Sequence, residues 1–140
     1  MLLQAQNSAV LSVGEVDRPH VKRGDTVMQK LNLSLRAGFH VNSNTPSDEF
    51  LIPLKLTWAK GPLASEQITY PDPHLEKSDF APKPLSVFSG NFQILTRFRA
   101  AANADTGMGM MTGKLRYQAC NSHECLMPKT IDVQFVVDIQ

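Results

Sequence analysis

From Ile131 to Ile139 an apolar side chain stands at every second position, with Asp132, Gln134 and Asp138 in between. A strand backbone sends successive side chains to opposite faces, so this pattern makes a strand with one dry side and one wet side. A helix would scatter the same residues around its circumference and bury none of them together. The alternation recurs where Leu31, Leu33 and Leu35 face away from Lys30, Asn32 and Ser34, and where Phe92, Ile94, Thr96 and Phe98 share one side. Weaker strand candidates lie at 9–13, 51–58, 68–70, 85–88 and 113–120, the last with Leu115, Tyr117 and Ala119 facing one way. No segment combines sustained helical periodicity with caps.

Between these runs, 36–38, 42–47, 60–62, 89–91 and 103–109 are rich in residues that accept turn dihedrals. The 9 prolines fall largely in such connections, as they must in an all-β chain, because proline removes a ladder donor from a central strand. The expected architecture is an all-β, immunoglobulin-like β-sandwich in a single domain. Residues 9–140 form that domain, and 1–8 read as a tail, either a signal remnant or an expression remnant. Residues 71–84, with Pro71, Pro73, Pro82 and Pro84, make the longest irregular segment, a length of loop that is uncommon unless functional or disordered.

Composition narrows the partners. A chain of 140 residues suffices for one core, burying about two thirds of its unfolded surface. A net charge of +1 makes no electrostatic case for nucleic acid or lipid. No apolar run approaches the roughly 20 residues that span a bilayer, so this stretch does not insert directly, and a monomer is expected. There is no nucleophile elbow, zinc-protease helix motif or phosphate-binding glycine loop.

The chemistry is concentrated in Cys120-Asn121-Ser122-His123-Glu124-Cys125, which links the 113–120 strand to the last one. A hairpin-like connection can hold the two Cα atoms within the roughly 4.4–6.8 Å that a disulfide needs. Closing so small a ring stabilises the fold by only about 2 kcal/mol on the chain-entropy model. A bond near a sandwich edge is also easy to open without unfolding the core, which suits exchange with another thiol. Structural staple and redox pair both stand on these grounds. Metal binding would need a fourth ligand beyond Cys120, His123 and Cys125, and His20, His40 and His74 are scattered. Met108, Met110 and Met111 read as turn and core filler rather than a copper site, so neither metal nor other cofactor is expected.

From Tyr117 to Pro128, the order Tyr-Gln-small-Cys, polar insert, Cys, then proline resembles the N-terminal domain of the DsbD family of thiol:disulfide interchange proteins. The stretches from Gly38 to Pro46 and from Ile68 to Pro71 resemble the same family, so the likeness runs from about Val13 to Ile139. The resemblance implies a periplasmic or otherwise extracytoplasmic immunoglobulin-like domain, part of a larger inner-membrane protein and acting as the redox-active domain of a protein-disulfide reductase. Such a domain takes electrons from a thioredoxin-like domain and passes them, through mixed disulfides, to oxidised extracytoplasmic proteins. Carried over by position, Cys125 is the sulfur that links to partners and Cys120 the one that resolves the link. The four residues between the cysteines are one fewer than in the best-known members. The family shields its pair with an aromatic on a loop, and Ser78-Asp79-Phe80 resembles that element, making Phe80 the cap candidate.

Around the pair, Glu124 disfavours a thiolate at the adjoining Cys125, whereas Arg116 and Lys129 would favour one if close. Cys125 is therefore expected to be weakly activated in the free domain. His123 either stabilises a thiolate or covers a turn. Tyr117 and Phe39 are candidates for an apolar rim, with the core as the commoner fate of strand aromatics. Trp58 belongs to the core, and Asn42 and Asn44 read as turn residues. The rival to the relay is an immunoglobulin-like interaction module with a stapled hairpin.

Overall fold

A computed structural model describes residues 9–140, and the expected tail at 1–8 lies outside the described residues. In chain order the strands are β1 (Leu11–Val13), β2 (His20–Val21), β3 (Thr26–Leu35), β4 (His40–Asn42), β5 (Lys55–Trp58) and β6 (Leu63–Thr69). They continue with β7 (His74–Glu76), β8 (Leu85–Ser89), β9 (Asn91–Ala100), β10 (Gly107–Tyr117), β11 (Ala119–Cys120) and β12 (Lys129–Ile139). The longest, β3, β9, β10 and β12, contain the segments of clearest alternation, because a half-buried strand is where period-two patterning has a physical cause.

Among the described residues the strands form three four-stranded sheets, ordered β1-β3-β9-β6, β2-β12-β10-β5 and β11-β4-β8-β7. The first sheet buries Leu31, Leu33 and Ile94 against Leu56, Leu115 and Val133 of the second and Val41, Phe88 and Ala119 of the third. A second cluster joins Phe98 to Met111, Phe135 and Val137. This is the expected immunoglobulin-like β-sandwich, all-β and not closed into a barrel. Trp58 packs edge-on to Phe98 and Phe135 at centroid distances of 5.2 and 5.4 Å, and its indole N–H donates to Thr96 Oγ1 at 3.0 Å. Gly113, opposite Trp58 in the β10–β5 ladder, is required there, since a Cβ would lie 2.7 Å from the indole and 2.8 Å from the Thr57 carbonyl.

Several expectations need correction. The strand expected at 51–58 starts only at Lys55, and the turn expected at 103–109 gives way to β10 at Gly107. Met108 and Met110 consequently project from a strand into solvent while Met111 fills the core. The irregular 71–84 stretch contains β7, paired with β8. Asn42 is a buried strand residue rather than a turn residue, and its Nδ2 donates to Ile52 O and to Gln118 Oε1, both at 3.0 Å. Asn44 lies in the connection that follows β4.

Candidate functional site: the Cys120–Cys125 turn

β10 stops at Tyr117 and β11 resumes two residues later, handing the chain from the second sheet to the third. The residue at the handover, Gln118, ties three segments together. Its Oε1 accepts from Asn42 Nδ2 and from the Ile52 N–H, at 3.0 and 3.1 Å, and its Nε2 donates to Leu126 O at 3.3 Å. The chain entering the cysteine turn and the chain leaving it are thereby held to β4 and to the loop after it.

Cys120 and Cys125 face one another in an isolated antiparallel bridge. On one side Leu126 N–H donates to Ala119 O at 2.8 Å, and on the other Asn121 N–H donates to Glu124 O at 2.9 Å. The cysteines thus occupy a non-hydrogen-bonded position, where antiparallel Cα atoms approach most closely, at about 4.5 Å. Their Cα atoms are 3.9 Å apart, closer than spacing alone suggested, and the sulfurs are bonded at 2.07 Å. Asn121 Oδ1 accepts the N–H groups of His123 and Glu124 at 2.8 and 2.9 Å, so the tip is pinned by its own first residue.

The two cysteines differ in exposure. Cys120 is 0% exposed, whereas Cys125 is half-buried. Cys120 lies opposite His40 of β4, and His40 lies opposite Ser89 of β8. Directly opposed residues share a face, so Cys120, His40 and Ser89 stand together on the side of this sheet away from Val41, Phe88 and Ala119. His40 is itself only 4% exposed. Burial pushes its imidazole below the usual range, with Glu76 opposing and His74 adding to the shift.

The turn is also held from outside by the 77–84 segment. Asp79 N–H donates to Ser122 O at 3.0 Å, and Asp79 Oδ2 meets His123 Nδ1 at 2.7 Å. The contact with the turn therefore runs through Asp79, while the neighbouring Phe80, 39% exposed, lines a cleft with Phe50, Leu51 and Pro82. Glu124 and His123 are exposed. Tyr117 packs in the core, its phenol pushed above the usual range by burial and drawn partly back by a hydrogen bond with the Leu11 backbone. Phe39 packs half-buried against the same core with the Arg36 guanidinium over its ring. No three of the described His, Cys, Asp and Glu side chains converge as a metal site.

No protein-family model and no curated protein sequence matches this chain. Solved structures do. The N-terminal domain of DsbD from Neisseria meningitidis, in its reduced form, superposes with a TM-score of 0.54 over 96% of this chain and 92% of that one, at 14% identity. The fold is that of a DsbD-type N-terminal domain. The N-terminal periplasmic domain of ScsB from Proteus mirabilis gives a TM-score of 0.57 at 13% identity, covering 91% of this chain but 44% of that structure. A type I cohesin from Pseudobacteroides cellulosolvens is similar too, with a TM-score of 0.51 at 11% identity over 93% of this chain and 92% of that one. At such identities the likeness establishes a DsbD-type fold, not a shared chemistry.

In the sequence the cysteines stand out, while the residues that hold them do not. Gln118 appeared only as part of a motif, and Asn121 opened a polar insert, where an Asn followed by two turn residues is a recognisable signal for side-chain-to-backbone bonding. Asp79 was overshadowed by its aromatic neighbour. His40 was visible only as a scattered histidine or a dyad candidate for Cys125, since nothing local to it names Cys120 as its cross-strand partner.

Proposed function

We propose that this chain is an extracytoplasmic thiol–disulfide exchange domain that relays electrons from a thioredoxin-like donor to oxidised partner proteins. The observation that carries the reading is the unequal exposure of the two bonded cysteines, in a tight turn of a DsbD-type fold. A donor thiolate attacks Cys125, the Cys120–Cys125 bond breaks, and Cys120 leaves as thiolate. A second donor thiol then attacks the mixed disulfide, releasing the donor as its own disulfide and Cys125 as thiolate. The reduced pair runs the same chemistry forward, with Cys125 attacking a partner disulfide and Cys120 resolving the link. Two electrons pass at each stage and the pair needs no prosthetic group.

The position of Cys125 supports its role as the partner-linking sulfur, and the burial of Cys120 suits a resolver that only an intramolecular neighbour reaches. Phe80 and Phe39 belong to this proposal as cap and rim. Among the described residues no helix is long and apolar enough to cross a membrane. The similar ScsB domain is periplasmic, which supports the same compartment here.

A stapled interaction module is the second reading, favoured by the likeness to a cohesin. Equilibration in glutathione or dithiothreitol buffers, with thiol state read by mass after alkylation, separates the two. A relay gives reversible reduction in the folded domain, and Cys120→Ser captures a thioredoxin-like protein through Cys125. A pair that stays oxidised until the domain unfolds would establish the staple.

A further inference from the structure

The outer face of the β11-β4-β8-β7 sheet holds a group that neither the fold nor the turn explains. His40 Nε2 is buried and has no hydrogen-bond partner among the described residues. An unsatisfied buried nitrogen is a cost that native structures rarely carry without a reason. Its surroundings can be read strand by strand. On β11 the opposed residue is Cys120, and on β8 it is Ser89. From β7, Glu76 and His74 act on it electrostatically, and Arg36 lines the same cleft of about 340 Å³ as His40, Glu76 and Ser89. His74 is already engaged, with Glu76 Oε2 and Ser89 Oγ each at 3.2 Å. Of its two directly opposed neighbours, Ser89 Oγ already meets His74 Nε2, and the other, Cys120, carries an exchangeable proton once the disulfide is open. Directly opposed side chains have Cβ atoms about 4.5–5.5 Å apart, within reach of an imidazole and a thiol.

We propose that His40 is a catalytic base for Cys120, taking the thiol proton when Cys120 resolves a mixed disulfide held at Cys125. This rests on the exchange reading above and goes beyond it by assigning the proton. The step balances as follows. Nε2 accepts the proton from Cys120 Sγ, and the resulting thiolate attacks Cys125 Sγ. The Cys120–Cys125 bond forms as the bond from Cys125 to the partner sulfur breaks. The partner leaves as a thiolate with the electron pair, and the proton on His40 returns to it or to solvent.

Burial suits this role twice over. Cys120 has no solvent of its own to take the proton, so an internal acceptor is needed. A desolvated imidazole stays neutral, and so competent as a base, as pH falls through its ordinary value of 6.5. Protonation below that range removes the acceptor. The sign is therefore fixed: closure stays fast from neutral pH down past 6.5 and fails only in more acid solution.

The test uses the reduced domain and dithiobis(nitrobenzoate), whose released thiolate is coloured. A first release reports attack on the reagent and a second reports ring closure by Cys120, with peptide mass locating the adduct at Cys125. His40→Gln should leave the first release unchanged and slow the second roughly tenfold or more at pH 7. The deficit should shrink as pH rises toward the free thiol value of about 8.5, where Cys120 ionises unaided. Slowing of both releases alike, or of neither, would overturn the assignment. The wild type supplies a check that needs no substitution: closure that instead falls tenfold per pH unit from about 8.5 downward would also overturn it. Failure of the parent reading looks different, since a wild type with no adduct at Cys125 removes the exchange function and the base together.

Discussion

The end of the sandwich built on long strands and the end that carries the cysteines are held together in different ways. β10 and β12 pair without interruption from Gly107↔Ile139 to Tyr117↔Lys129, over an aromatic cluster of Trp58, Phe98 and Phe135. The sheet bearing the site has a β11 of 2 residues and a β4 of 3. What it lacks in ladder it replaces with side-chain bonds, from Gln118, from Asn42 and from Ser43 Oγ to Ser86 Oγ at 2.8 Å. Such bonds are individually modest and break one at a time, whereas a packed aromatic core yields only as a unit. The expected consequence is a turn that opens while the sandwich stays folded, as a domain exchanging disulfides requires.

Phe98→Ala strikes the first region hardest. Removing a fully buried aromatic ring should cost about 3–5 kcal/mol, read as a lowered urea midpoint. The reduction potential of the cysteine pair should stay where it was. A potential that moves with stability would mean that the two ends open together as one cooperative unit.

Gln118→Ala strikes the second. It leaves the Ile52 N–H, the Asn42 amide and the Leu126 carbonyl short of a partner, a loss of about 1–3 kcal/mol. Hydrogen exchange should quicken at 119–126 well before it does along β10, and the potential should shift. Uniform quickening across both regions would show that Gln118 serves the whole fold rather than the turn.

The same division explains what was legible in the sequence. β3, β9, β10 and β12 each bury one face and wet the other, so Leu31, Leu33, Ile94 and Val133 announced themselves by alternation. β4 is buried on both faces, so the polar–apolar–polar order of His-Val-Asn reads as one wet face although His40 and Asn42 are both covered. β7, only 3 residues long, sits in a proline-rich stretch where a short edge strand leaves no period to detect. The cysteines could be singled out because their chemistry is rare and local. Their supports could not, because Gln118, Asp79 and His40 act across the fold on residues far away in sequence. Tyr117 shows the limit from the other direction: its place next to the motif suggested a rim, while its strand parity sends it to the core.

The smallest effect concerns which residue holds the 77–84 segment over the turn. Asp79 and His123 form an exposed pair, at 70% and 76% side-chain exposure, and such pairs contribute at most about 1 kcal/mol. Asp79 also donates its backbone N–H to Ser122 O, a bond that survives truncation of the side chain. Asp79→Ala should therefore speed reduction of the disulfide by dithiothreitol by no more than about fivefold. Phe80→Ala tests shielding rather than latching, because its ring lies in the cleft with Phe50 and Leu51. If Phe80 is the cap, its removal speeds both reduction of the disulfide and oxidation of the reduced pair by small disulfides, with no dependence on salt. If only Asp79→Ala has an effect, access to Cys125 is governed by the polar contact with the turn, and the aromatic is an anchor for its own loop.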